Sequence, residues 1–177
     1  MNYQTVIYPD YEIQGLRDVS RLKVYNQITI GKTILSIGSN CCTDEIFLLR
    51  TNKINKAICI DIAEDALETG RLCAKEWRVD NQMIFCNNEA GSLKWFADVD
   101  TLFFYSVIQH IGLGVTFDLI KEYMPTYICI ETHSEFDTSI DDIKKEFTEC
   151  KFNEIAKLPY TISDPRLIRS FFYGQIM

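Results

Sequence analysis

Short apolar runs of about five residues alternate along this chain with longer segments of helical period, and no other feature restricts the fold as strongly. A continuous apolar run of that length suits an interior strand buried on both faces, and interior strands separated by helices make crossover units with a parallel sheet. The expected strands are Thr33–Ile37, Ala57–Asp61, Gln82–Phe85, Asp100–Tyr105 and Thr126–Glu131. The expected helices between and after them are Asp44–Arg50, Glu64–Trp77, Phe117–Glu122 and Ser139–Thr148. Ahead of the first strand, Leu16, Val19, Leu22, Val24 and Ile28 suit one further helix. After Thr148 the rhythm changes. Phe152–Leu158 and Leu167–Ile176 read as two strands separated only by a turn segment holding Pro159, Asp164 and Pro165, which predicts an antiparallel hairpin at the sheet edge. The expected class is α/β, as one domain over residues 1–177, with 1–30 as a helical lead-in and 31–177 as the core.

Composition narrows the setting. With 47% hydrophobic and 12% aromatic residues in 177, the chain can bury a core without metals or disulfides. A formal charge of −7 and a pI near 4.9, with no basic cluster in view, make nucleic acid a disfavoured partner. The seven cysteines are odd in number and form no C-x-x-C pair, and Met1–Asp10 lacks the basic-then-apolar pattern of a secretory leader. A reducing, cytoplasmic location is therefore expected, with Cys59 and Cys129, inside apolar runs, acting as small buried hydrophobes. Neither histidine, His110 or His133, has a thiol cluster beside it, so no metal site is expected. The longest apolar stretches, such as Leu102–Ile108, are too short for a membrane span, so no membrane partner is expected either.

In an open parallel sheet, ligands bind beyond the carboxyl ends of the strands, where the strand order reverses. The first strand end runs into Ile37-Gly-Ser-Asn-Cys-Cys-Thr43. Gly38 allows a sharp turn and close backbone approach, and Ser39 and Asn40 offer side-chain hydrogen bonds. The second strand ends on Asp61, 23 positions after Gly38, near the spacing at which a carboxylate accepts hydrogen bonds from both hydroxyls of a ribose. The competing reading makes Asp61 a cap for the helix entered near Glu64. Strand, Gly38 loop, helix, second strand and terminal acid in this order point to an adenosine-containing ligand.

With these pieces in place the chain resembles the class I S-adenosylmethionine-dependent methyltransferases over nearly its whole length. Thr33–Thr43 (TILSIGSNCCT) is similar to the family's glycine-rich first motif, and Ala57–Asp61 followed by Ala66-Leu67 to its second, whose acid holds the ribose. Ile84–Ala90 (IFCNNEA) sits where the family contacts adenine, and Tyr105–Ile111 (YSVIQHI) resembles the fourth motif, facing the methionine portion and the substrate. Gln14-Gly-Leu-Arg-Asp18 resembles a lead-in segment of some bacterial members.

The resemblance implies a three-layer Rossmann-like sandwich whose seven-stranded, mostly parallel sheet carries an antiparallel C-terminal strand. It implies S-adenosyl-L-methionine as cofactor, with Gly38, Ser39, Asn40, Asp61, Ile62, Asn88, Glu89 and Tyr105 as the contact residues. Two departures stand out: Ser36 replaces the acid that usually precedes the first glycine, and Cys41-Cys42 replaces a later glycine.

Methyl transfer from a sulfonium is an in-line displacement that needs alignment and exclusion of water, plus a base if the acceptor carries a proton. His110 is the first candidate base, with Glu131 and His133 at the neighbouring strand end as further candidates. The length leaves little room for a separate recognition domain, so a small-molecule acceptor is expected. The alternative is a catalytically silent relative that binds the cofactor or a partner protein, on the strength of Ser36 and Cys42. A nicotinamide-dependent oxidoreductase would want the fuller G-x-G-x-x-G, which is missing. Cys41-Cys42 at a helix start raises the possibility of a reactive thiol, whereas Trp77 and Trp95 read as packing residues and Glu64 and Asp65 as first-turn charges.

Overall fold

Side-chain alternation along the interior strands divides the core into two. Ile34, Cys59, Phe103, Tyr105 and Cys129 enter one apolar cluster, while Leu35, Ile37, Ile58, Ile60, Leu102, Phe104, Ile128 and Ile130 enter the other. In the computed structural model, which describes residues 3–17, 19–92, 96–134, 137–159, 161–163 and 168–176, the elements in chain order are β1 (Val6–Ile7), β2 (Glu12–Ile13), β3 (Thr33–Ile37), α1 (Thr43–Arg50), β4 (Lys56–Asp61), α2 (Glu64–Glu76), β5 (Met83–Asn87), β6 (Thr101–Tyr105), α3 (Ile108–Tyr123), β7 (Tyr127–Glu131), α4 (Ser139–Glu146), β8 (Cys150–Pro159) and β9 (Ile168–Ile176).

Seven strands form one sheet in the order β5-β4-β3-β6-β7-β9-β8. All neighbours from β5 to β7 are parallel, β9 runs antiparallel to β7, and β8 pairs antiparallel with β9 across a bulge at Glu154/Ala156. The first cluster is covered by α1 and α2, and the second by α3 and α4, giving the three layers that the resemblance implies. Cys59 and Cys129 are both fully buried. Among the described residues no helix is long and apolar enough to cross a membrane.

The N-terminal segment departs from expectation. Among its described residues only Ser20–Asn26 is helical, as a 3-10 segment, and before it β1 and β2 make a two-stranded antiparallel ribbon. The segment buries Arg21, Leu22, Val24 and Tyr25, while Leu16, ahead of it, is exposed, so the apolar positions do not form one α-helical face. The ribbon is fastened down where the Thr43 hydroxyl donates to the Thr5 carbonyl (2.8 Å) and the Trp77 indole to the Ile7 carbonyl (2.7 Å). Trp77 is thus a packing residue, while Trp95, Asp18, Asp164, Pro165 and Leu167 lie outside the described residues. The expected helix at Phe117–Glu122 is the end of a longer one: α3 begins at Ile108 and is kinked at Gly112, whose φ of 83° breaks the periodic pattern.

Candidate functional site

Chain order reverses at β3, which pairs with β4 on one side and β6 on the other, and beyond the carboxyl ends of these strands lies a cavity of about 710 Å³. Its first wall is the loop after β3. Gly38 turns with φ +75°, and its N–H and that of Ser39 both donate to the Ile60 carbonyl (2.9 and 3.1 Å), folding the loop over the end of β4. A Cβ at Gly38 would stand 3.0 Å from Val107 Cβ and 3.3 Å from the Tyr105 carbonyl. Left-handed backbone recurs at Asn40 (φ 50°) and Cys42 (φ 55°). The loop therefore takes a glycine-type conformation at every second residue although only Gly38 is glycine.

Asp61 forms the second wall. Its Oδ2 accepts the Asn40 N–H (2.8 Å) and its Oδ1 the Ala63 N–H (2.9 Å), so the carboxylate ties the β3 loop to the end of β4. The N-cap of α2 is Ala63, without a side-chain cap bond, so Asp61 does not occupy the cap position. Each oxygen keeps lone-pair capacity toward the cavity. Ile62 beside it is 75% exposed, and the Asn87 amide donates to the Asp61 and Ile62 carbonyls (3.2 and 2.9 Å). Asn88 and Glu89 line the third wall with Ala90 and Gly91.

The fourth wall is the end of β6 and the start of α3: Tyr105, Ser106, Val107, His110, Ile111 and Val115. His110 is exposed and meets the His133 ring edge-on, with centroids 5.8 Å apart. Burial, with the neighbouring Arg17 charge and His110, lowers the His133 pKa below 6.5 despite the opposing Asp137 carboxylate. Tyr105 reaches the cavity with little of its surface. Its hydroxyl shares a hydrogen bond with that of Tyr25 (3.0 Å), and the Arg21 guanidinium covers its ring at 4.0 Å. A cation already occupies that face.

Other residues singled out in the sequence are turned away from the cavity. The Ser39 hydroxyl is fully buried and points inward to the Ile60 carbonyl (3.3 Å). Glu131 lies beneath the cavity floor, only 1% exposed, with Arg17 Nη1 (2.8 Å), Arg21 Nη1 (2.7 Å), Arg169 Nη1 and the Ser106 hydroxyl (2.6 Å) all donating to it. Burial alone would raise its pKa, but Arg21, Arg169 and Arg17 outweigh burial and hold it at about 2. A carboxylate so placed does not accept a proton near neutral pH. Cys41 is also buried, which pushes its thiol up to about 12, the reverse of an activated nucleophile. Composition gave no sign of Tyr3, a cavity residue brought in by the N-terminal segment and stacked against the Arg17 guanidinium at 4.5 Å.

No protein-family model matches the sequence, and no curated protein sequence matches it. Among solved structures the chain is similar to the SAM-dependent methyltransferase of Geobacter sulfurreducens in complex with S-adenosyl-L-homocysteine, at a TM-score of 0.71 and 13% identity over 93% of this chain and 94% of that one. It is similar to TrmK of M. capricolum in complex with the cofactor product S-adenosyl-homocysteine (TM-score 0.64, 14% identity, 89% and 68% covered). It is also similar to a dimethyladenosine transferase of Plasmodium falciparum (TM-score 0.70, 15% identity, 92% and 63% covered). At such identities the likeness is one of architecture, and the chain is built on the Rossmann-like fold of these S-adenosylmethionine-dependent methyltransferases.

Proposed function

We propose that this chain transfers a methyl group from S-adenosyl-L-methionine to a small, uncharged or cationic acceptor bound in the same cavity. The observation that carries the reading is the cavity itself, placed at the strand-order reversal and walled by Gly38 and Asn40, by Asp61 and Ile62, and by Asn88 and Glu89.

The residues present fit the cofactor. Gly38 leaves open the space that a Cβ would fill against Val107. Asn40 Oδ1 is buried with no hydrogen-bond partner, an acceptor suited to an ammonium or hydroxyl. Both Asp61 oxygens retain capacity for ribose hydroxyls. When bound, S-adenosyl-L-methionine supplies a methyl group on a sulfonium, whose departure needs no protonation. What remains for the chain is to align the acceptor, exclude water and receive a proton.

His133, kept neutral by burial and by Arg17, is the base we assign, with His110 against its ring as the second proton acceptor. Glu131 is assigned no proton transfer, because its lowered pKa and its three arginines reserve it for the floor of the site.

A small acceptor is favoured by the lining, which among the described residues holds no lysine or arginine to meet a phosphate backbone, and by the net charge of −7. One structural neighbour, from Streptococcus pneumoniae, is a putative tRNA (m1A22) methyltransferase, so a nucleic-acid acceptor is the rival. A catalytically silent role has one supporting observation: Ser36 is fully buried where the resembling family carries an acid.

Calorimetric titration with S-adenosylmethionine, S-adenosylhomocysteine and NAD tests the cofactor. Absence of heat with both sulfur nucleosides, at concentrations sensitive to ~1 mM affinity, refutes it. Asp61→Ala is expected to weaken binding by ~10-fold or more in a protein that stays folded, from the loss of charge-assisted hydrogen bonds. Labelled-methyl transfer into metabolite pools rather than bulk RNA is the result expected for the acceptor. Label in RNA alone overturns that half, and tight binding without turnover supports the silent reading.

A further inference from the structure

Beneath the Gly38 loop, on the sheet face covered by α1 and α2, three side chains converge that the methyl-transfer reading does not use. Cys42 ends the loop, Glu45 sits in the first turn of α1, and Cys59 lies in the middle of β4. One ligand atom from each, two Sγ atoms and a carboxylate oxygen, lies within 4.8 Å of the others. All three residues are 0% exposed. Both Glu45 carboxylate oxygens are buried without a hydrogen-bond partner. The buried guanidinium on the same side, Arg21, is engaged by Asp44 and Glu131 instead. The Ser36 hydroxyl, opposite Cys59 in the β3–β4 ladder, lies against Glu45 and favours its charge, but burial and the Asp44 carboxylate outweigh it and push the Glu45 carboxyl up to about 8. A carboxyl sealed from water with so little hydrogen bonding is costly to ionise, and buried ionisable groups are normally paired, hydrogen-bonded or metal-bound.

We propose that Cys42, Glu45 and Cys59 form a buried structural site for a borderline-soft divalent cation of the zinc type, with the Ser36 hydroxyl or one trapped water as fourth ligand. Two sulfurs and a carboxylate oxygen fit zinc, whereas magnesium and calcium call for oxygen alone. Tetrahedral coordination at ordinary zinc bond lengths sets ligand atoms roughly 3.5–3.8 Å apart, so the observed cluster closes on a common centre with small side-chain adjustments. The strained residue gains a reason as well. Cys42 holds a left-handed φ of 55°, where glycine would be free of cost, and the conformation places its thiol beside Cys59 and Glu45. A metal there links β4, the end of the cavity loop and the start of α1, so it would brace the wall that carries Gly38 and Asn40. Metal binding there does not depend on which ligand the cavity takes.

The test uses the full chain, unfolded with chelator and refolded with zinc or cobalt(II), followed by metal analysis and absorption spectroscopy. Binding of about one metal per chain is expected, with the visible bands of tetrahedral cobalt and a thiolate-to-cobalt charge-transfer band. Cys42→Gly suits the left-handed backbone and should fold, and Glu45→Gln keeps the side-chain shape. Both are expected to lose stoichiometric metal and the charge-transfer band, whereas Cys86→Ser, a thiol outside the cluster, keeps both. A refolded wild-type chain without metal, cobalt bound without a thiolate band, or undiminished binding in folded Cys42→Gly would each overturn the site. A melting temperature raised by zinc in the wild type but not in Cys42→Gly supports it independently of activity.

Discussion

Replacing Glu131 by glutamine separates a buried ion network from a reactive group. Glu131 takes hydrogen bonds from three arginines and Ser106 in a site closed to solvent. Burial opposes its charge, yet Arg21, Arg169 and Arg17 bring the pKa down from its ordinary 4.5 to about 2. Linkage converts that difference, at about 1.36 kcal/mol per pKa step, into ~3 kcal/mol of stability at neutral pH. Because the folded pKa is the lower one, this contribution is complete above the unfolded value of 4.5 and is lost as pH falls through about 2. Glutamine removes the charge and turns amide donors toward guanidinium donors, and removal of one partner from a buried pair typically costs ~3–5 kcal/mol. Urea unfolding at pH 7 is expected to show a loss in that range, and the variant's stability should decline less steeply than the wild type's below about pH 4.5. A loss under ~1 kcal/mol, or parallel acid profiles for the two proteins, would refute the assignment of Glu131 as the anchor of the network.

Gly38→Ala imposes a left-handed φ on alanine and sets a Cβ 3.0 Å from Val107 Cβ, so thermal denaturation should report a loss of ~1–3 kcal/mol; an unchanged melting temperature would mean the loop relaxes freely. Cys41, buried with its thiol pushed up to about 12, should resist alkylation at pH 8 until the chain unfolds, and rapid modification of the native protein, mapped by mass spectrometry, would contradict that burial. His133 should titrate by NMR with a midpoint below 6.5, because burial and Arg17 disfavour its charged form. If it is the base, the rate should rise with pH through that same midpoint; a midpoint above 6.5 would remove the physical case for it.

The sheet was legible because its signal is local. β3, β4, β6 and β7 are continuous apolar runs, and each begins and ends within one residue of the position that the pattern indicates. The parts that stayed hidden depend on contacts distant in sequence. Arg17, Arg21 and Arg169 meet Glu131 across 114, 110 and 38 positions. Each reads locally as an ordinary surface charge, so Glu131 looked available as a base. The two-residue strands β1 and β2 are too short to show a period, and the first half of α3 was masked by Gly112, which interrupts the helical spacing at the kink. Cys42, Glu45 and Cys59 follow no metal-ligand spacing, because a sheet pairing rather than a loop brings them together.

The loop after β3 shows how a sequence departure and a structural one differ. Its requirement is left-handed backbone at alternate residues, met here at φ +75° by Gly38, 50° by Asn40 and 55° by Cys42. Asparagine is among the non-glycine residues that enter that region most readily. In this loop the Asn40 N–H also donates to Asp61, so the acid at the end of β4 holds the conformation that glycine would otherwise leave flexible. A left-handed non-glycine residue costs roughly 1–2 kcal/mol, and at Cys42 the N–H donates to the Ser39 carbonyl (2.9 Å) and the thiol to the Asn40 carbonyl (3.6 Å). Cys42→Gly relieves that strain but also removes a fully buried thiol and leaves a cavity, so if the thiol only fills space the net effect should be the same with and without zinc. If the thiol is a metal ligand, the same substitution should destabilise the metal-loaded protein by more than it does the metal-free protein. Thermal melts of both proteins with and without zinc distinguish the two, since only the second case makes the size of the effect depend on the metal.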